Sequence, residues 1–174
     1  VVCVPIRYGV GATAFKGSHQ GHSTVHALGD GSVILHHGGI EMGQGVNSRL
    51  ISLAAHHLGC ERDHIRVAPQ NTSVIANAGN SGGSYTFEAN SKPLMKAAIA
   101  LRERLDTLQD DEGSLSFKEL CAKAIKKQIS TTVTSFARTE HPEDIIEANG
   151  FQYFTWSACR VLAEVDLLTG KHIV

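Results

Sequence analysis

Two glycine-rich stretches in the first half of the chain carry the residues best suited to chemistry. The first, Gly38-Gly39-Ile40-Glu41-Met42-Gly43-Gln44-Gly45, sets small residues and one amide side chain at what reads as the entry of a helix. The first N–H groups of a helix have no partner inside it, so such an entry favours an anion, and missing side chains let a ligand reach the backbone. Gln44 offers both a donor and an acceptor, which suits a ligand with mixed polar edges. The same residues also describe a tight strand-to-helix turn that simply needs glycine, and composition alone leaves both readings open.

The second stretch, Asn77-Ala78-Gly79-Asn80-Ser81-Gly82-Gly83-Ser84, precedes Tyr85 and a helix and offers backbone N–H and hydroxyl groups to a phosphate. It lacks the GK[ST] ending of a Walker loop and the GxGxxG of a dinucleotide fold, and it reads as a linker as readily as a site. Glu41 and Glu88 are the carboxylates near these stretches. No Ser-His-Asp or Cys-His arrangement stands out, so no residue of the chain is assigned a catalytic role.

Ten histidines invite a metal reading. Adjacent residues on a strand or helix point apart, so neither His36-His37 nor His56-His57 chelates one ion with both rings. His19, His22 and His26 form a looser set. His56 and Cys60 lie four apart, but Gly59 ends the helix between them and no third ligand is evident. A site in which protein side chains ligate a metal is therefore not expected.

These stretches need elements to hold them. Ser23 to Leu28 and Val33 to His37 read as two strands of a hairpin turned by Gly29-Asp30-Gly31. Met42, Val46, Leu50, Leu53, Ala54 and Leu58 follow helical spacing, ending at Gly59. Ile65 to Ala68 reads as a short strand, and the polar residues 70–84 as a loop. Leu94, Ala97, Ala98, Leu101, Leu105 and Leu108 predict a helix that starts near Pro93, or starts earlier and carries a kink there. A helix starting only at Pro93 would leave Gly82-Gly83 some way from its end.

Ser116-Phe117-Lys118-Glu119 has capping-box spacing before another helix through Ile125. Ile129 to Ala137 alternates as a half-buried strand, 139–150 reads as a loop, and Phe151 to Leu168 is β-like. In that last segment Val161, Ala163, Val165 and Leu167 share one face, and Thr169-Gly170 turns it. The expected fold is α+β, a mixed sheet with helices packed on one face in the order ββαβ, αα, ββ.

Sixteen Lys and Arg against 17 Asp and Glu leave a net charge of −1, so no strong field draws the chain to nucleic acid or an anionic membrane. The longest apolar runs, such as Val161 to Ala163, fall far short of a membrane span. Cys3, Cys60, Cys121 and Cys159 contain no CxxC pair and are expected to be reduced, mostly buried thiols of a cytoplasmic protein. The Val1-Val2 opening is that of an excised fragment, so 1–174 is expected to be a single partial domain.

Gly29-Asp30-Gly31-Ser32-Val33 followed by His37-Gly38-Gly39-Ile40-Glu41-Met42-Gly43-Gln44-Gly45-Val46-Asn47-Ser48-Arg49 resembles the DGS…HGG.EMGQG segment of the xanthine dehydrogenase and aldehyde oxidase family of molybdenum hydroxylases. Residues 77–88, with Ser81-Gly82-Gly83-Ser84, are similar to the cofactor loop of the aldehyde oxidases in that family. Glu164-Val165-Asp166-Leu167-Leu168-Thr169-Gly170 is similar to its EVD..TG strand and turn. The resemblance runs from about Pro5 to His172.

It implies a piece of a larger molybdopterin-binding domain. Met42, Gly43 and Gln44 would lie against the cofactor, and Gly82, Gly83, Ser84 and Tyr85 around its pterin and phosphate end. A flat, anionic, hydrogen-bonding ligand is one that backbone N–H groups, an amide and hydroxyls suit. In this family the cofactor's dithiolene sulfurs hold the metal. The resemblance further implies a parent enzyme with 2Fe-2S and FAD domains, a homodimer, hydroxylating aldehydes or N-heterocycles with oxygen from water.

The family's catalytic base, a Glu in a Gly-Glu segment, belongs beyond the EVD..TG turn, as other parts of the site belong upstream. The isolated chain is therefore expected to show no turnover. The competing expectation is a relative that kept the fold as a non-catalytic binding or assembly module.

Overall fold

The computed structural model describes residues 1–11, 20–110, 113–138, 151 and 153–174. Its centre is a mixed four-stranded sheet in the order β4-β3-β2-β5. Strand β2 (Gln20–Ala27) pairs antiparallel with β3 (Val33–His37) on one side and with β5 (Thr132–Arg138) on the other. The 28–32 turn closes the β2–β3 hairpin because the Asp30 carboxylate accepts from both the N–H and the hydroxyl of Ser32, at 2.9 and 2.6 Å. β4 (Ile65–Val67) runs parallel to β3. A parallel neighbour requires a crossover, which α1 (Val46–Leu58) supplies.

Helix α1 buries Val46, Leu50, Ala54 and Leu58, the face its spacing predicts. α2 (Thr86–Asp106) packs against α1, β2 and β5, burying Leu94, Ala97, Ala98, Leu101 and Leu105. α3 (Phe117–Lys126) opens with the expected capping box, Ser116 N–H to Glu119 Oε2 at 2.8 Å and Glu119 N–H to Ser116 Oγ at 3.4 Å. These faces form one apolar core between sheet and helices. The α+β mixed sheet with helices on one face is thus the fold the sequence predicts.

One close approach decides where α2 lies. A Cβ on Gly21 of β2 would sit 2.0 Å from the Ala89 carbonyl oxygen, so the first half of α2 presses directly on the sheet backbone.

Beside this body, β1 (Val2–Val10) and β6 (Tyr153–Val161) form a two-stranded antiparallel ribbon, Val2 opposite Val161 and Val10 opposite Tyr153. Most of it is exposed, but its Val10 end is buried with Tyr85 and Ala89. β7 (Glu164–Val165) and β8 (His172–Ile173) form a short hairpin. Asp166 organises its turn, accepting from the N–H of Leu168 and the hydroxyl of Thr169, both at 2.8 Å.

Several expectations are corrected. The sequence patterns predict no strand over residues 2–10, where β1 stands. α1 starts at Val46 rather than at Met42, because Gly43 (φ 102°) and Gly45 (φ 79°) hold left-handed conformations that a right-handed helix excludes. α2 takes the earlier of the two starts, with Pro93 inside it, so Gly83 stands only three positions before Thr86. The segment 151–168 is two elements, and Val161, Ala163, Val165 and Leu167 are exposed despite their alternation. The thiols are not mostly buried: Cys3 and Cys159 are exposed on the ribbon, Cys60 is half-buried and Cys121 is buried. The expected loop over 139–150 lies outside the described residues, as does His19. Among the described residues no helix is long and apolar enough to cross a membrane.

Candidate ligand-binding cleft

The first glycine turn is built from its own side chains. Its Glu41 carboxylate folds back to accept from the N–H groups of Gly43, Gly45 and Asn47, each at 2.9 Å. Those are the α1-entry donors that the sequence pattern offers to an anion, and here an internal carboxylate answers them. The bonds from Asn47 and Gly45, then Gly43, hold the Glu41 carboxyl below the usual range. Gln44 also turns inward, accepting from Met42 N–H at 2.6 Å and donating to the Ile40 carbonyl at 2.7 Å. One amide hydrogen and one oxygen lone pair of Gln44 remain for another partner.

His37, at the end of β3, braces this turn from below. Gly39 N–H donates to its Nδ1 at 3.1 Å, so Nε2 carries the proton and donates to Asn47 Oδ1 at 2.9 Å. The ring is buried, and burial lowers its pKa, favouring the neutral form this arrangement needs. Asn90 of α2 braces the turn from the other side, accepting from Gly38 N–H at 3.1 Å.

The second turn is tied both to the first and to the ribbon. Ile40 N–H donates to Ser81 Oγ at 2.7 Å, and a Cβ on Gly38 would stand 2.2 Å from that of Ala78. Gly11 N–H donates to the Gly83 carbonyl at 2.9 Å, and Ser84 Oγ to Tyr8 Oη at 3.2 Å. Tyr153 of β6 donates its hydroxyl to Glu88 of α2 at 2.7 Å, and that bond to a carboxylate pushes the phenol pKa up. The other Glu88 oxygen is buried without a partner among the described residues.

A cleft of about 160 Å³ opens between the start of the second turn, at Ala78, and the first turn, at Gly38 and Ile40, and two more border the Gly83–Ser84 end. One, of about 210 Å³, is lined by Gln44, Val46, Arg49, Ser84, Thr86 and Phe87, so side chains from both turns face the same space. The other, of about 400 Å³, is lined by Arg7, Tyr8, Gly9, Gly11, Gly83, Phe151 and Phe154.

Of the residues singled out from sequence, Gln44 and Ser84 therefore meet at one cleft and Gly83 borders another. Gly43 faces open space, with nothing within 4 Å of where a Cβ would be. Met42 projects outward at 69% exposure, Gly82 is exposed beside Asn80, and Tyr85 is buried with Val10 and Ala89. Sequence reasoning missed Arg49, Thr86 and Phe87. Arg49 did carry a signal: a cation near a helix start runs against the helix dipole and so calls for another reason to be there. Among the described residues no group of three or more His, Cys, Asp or Glu is placed to hold a metal ion.

Comparison with known proteins identifies the family. The family model described as the molybdopterin cofactor-binding domain matches residues 1–174. The chain is 32% identical over 174 residues to aldehyde oxidase 1 of Oryctolagus cuniculus, covering 97% of this chain and 13% of that protein. It is 31% identical over 180 residues to xanthine dehydrogenase of Drosophila subobscura, covering 100% of this chain and again 13% of the relative. Its fold is similar to that of quinoline 2-oxidoreductase from Pseudomonas putida 86, with a TM-score of 0.67 at 15% identity, over 98% of this chain and 25% of the other. The chain belongs to the molybdopterin cofactor-binding domain family, and it is similar to the matching stretch, 13% of the length, of an aldehyde oxidase and of a xanthine dehydrogenase.

Proposed function

We propose that residues 1–174 form one wall of a molybdopterin site, as a partial domain of a larger hydroxylase, and that the cofactor lies in the cleft where the two glycine turns meet. The observation that carries this is the shared lining by Gln44 and Ser84, one from each turn. The residues present fit the group. The faces of Gly43 and Gly45 are open where a Cβ would project, giving a cradle for a flat ligand. The free hydrogen and lone pair of Gln44, with the hydroxyl of Ser84, match a pterin's alternating donors and acceptors. On this reading Gln44, Gly43 and Met42 face the cofactor from one turn, and Gly82, Gly83, Ser84 and Tyr85 support it from the other.

When bound, the cofactor supplies a molybdenum held by its own sulfurs, which accepts electrons from the substrate. The chain's contribution is positional. His37 and Asn90 fix the height of the first turn, Glu41 fixes its curvature, and the Ile40–Ser81 bond sets the gap between the turns.

The parent enzyme is proposed to hydroxylate aldehydes or N-heterocycles with oxygen from water, in the cytoplasm, as a homodimer with 2Fe-2S and FAD groups in its other domains. The resemblance assigns the catalytic base to a segment beyond the EVD..TG turn, so the 174 residues alone are proposed to have no turnover. Molybdenum and pterin analysis of the full-length protein tests the cofactor reading. About one of each per chain is expected, and a folded full-length protein that takes up neither contradicts it.

A further inference from the structure

The charge at the cleft is not where the glycine turn alone would put it. Glu41 already answers the α1 entry with a full negative charge, and a second anion there would be repelled. Positive charge enters the cleft from Arg49, one turn into α1. Its guanidinium carbon stands 3.8 Å from the centroid of the Phe87 ring, and among the described residues it makes no ion pair. Stacking fixes the plane of the guanidinium and shields one face from water, while leaving its N–H edges able to bind two oxygens of one anion at once. Ser84, two residues before α2 begins at Thr86, lines the same cleft and offers a hydroxyl.

We infer that Arg49, propped on Phe87, is the residue of this chain that takes the phosphate ester of the cofactor, with the Ser84 hydroxyl turning from Tyr8 to serve as a second donor. The inference rests on the cleft being the cofactor's. It moves the anion contact away from the Gly43–Gly45 turn, to a side chain at the mouth of α2. A phosphate suits this position better than the neutral pterin edge, because a stacked guanidinium has five donors and no acceptor.

The test uses the full-length protein purified with its cofactor, as wild type and as Arg49→Gln, Arg49→Lys and Arg62→Gln. The last removes one positive charge from the exposed turn before β4 and controls for net charge. Pterin release is followed by the fluorescence of its oxidation product across about 0.05 to 0.5 M KCl, a range over which screening of a charge pair changes strongly. Arg49→Gln is expected to release pterin about tenfold faster or more, and with weaker salt dependence. Arg49→Lys should fall between it and wild type, since lysine keeps the charge but loses the fork and the stack. Arg62→Gln should match wild type.

Wild-type release at Arg49→Gln overturns the inference while leaving the cofactor reading intact. If that variant does not fold, salt-independent release from wild type overturns it equally. Absence of pterin from wild type defeats the cofactor reading itself, and the inference with it.

Discussion

The backbone N–H of Ile40 donates to the hydroxyl of Ser81 at 2.7 Å, across 41 positions of sequence. That bond joins the two glycine turns and makes a shared cleft geometrically possible. Ser81→Ala leaves the Ile40 N–H without its acceptor. The expected result is a loss of about 1 kcal/mol in urea unfolding, and faster cofactor release than any change in folded stability explains.

Glycine replacements should separate close packing from conformational freedom. Gly21→Ala drives a Cβ to 2.0 Å from the Ala89 carbonyl, where only backbone movement relieves the clash, and is expected to cost about 3 kcal/mol or more. Gly43→Ala meets open space and should cost only the left-handed conformation, about 1 kcal/mol. Equilibrium denaturation of the two variants side by side checks the ranking, and equal losses contradict it.

Acid should weaken the first turn in two stages. Burial lowers the His37 pKa below its ordinary 6.5, so the unfolded chain takes up that proton first. The stability this group contributes is full above about pH 6.5 and falls away as the pH drops from there toward the folded pKa. Glu41 is depressed below 4.5 by the N–H groups of Asn47, Gly45 and Gly43, so its contribution is full above about pH 4.5 and is lost below it. His37→Gln should flatten the thermal midpoint as the pH falls below 6.5, and Glu41→Gln should flatten it below 4.5. Unchanged slopes in both variants contradict the assignment.

The four free thiols should fall into two classes. Burial pushes Cys60 and Cys121 each up to about 11, whereas Cys3 and Cys159 are exposed on the ribbon. Alkylation of the isolated chain at about pH 8 is expected to modify Cys3 and Cys159, and to reach Cys60 and Cys121 only after denaturation. Mass spectrometry of the peptides reads this directly, and early labelling of Cys121 contradicts the packing of α3.

Much of the sheet and both halves of the cleft are legible in the sequence, for identifiable reasons. β3 and β5 alternate, the Asp30–Ser32 turn is local, and Leu50, Ala54, Leu101 and Leu105 keep helical period, so each element can be read from its neighbours. The β1–β6 ribbon is different. Val2 pairs with Val161, and nothing within 2–10 encodes a partner so far along the chain. Both strands lie largely exposed, so burial leaves little alternating pattern to find.

The cleft is legible in Gln44 and Ser84, which the two glycine turns carry and the resemblance selects, but not in Arg49, Thr86 and Phe87. Met42 keeps step with the α1 period yet points to solvent, because periodicity is blind to the left-handed glycines beside it. Arg49 carries only the signal of a cation at a helix start, and its place in the cleft emerges once Phe87, from another helix, stands beneath it.

The account depends above all on molybdopterin lying between the two turns, and a structure of the cofactor-loaded full-length protein measures that most directly. The account predicts the pterin within hydrogen-bonding distance of both Gln44 and Ser84, with its phosphate toward Arg49. A bound cofactor that touches neither Gln44 nor Ser84 contradicts it.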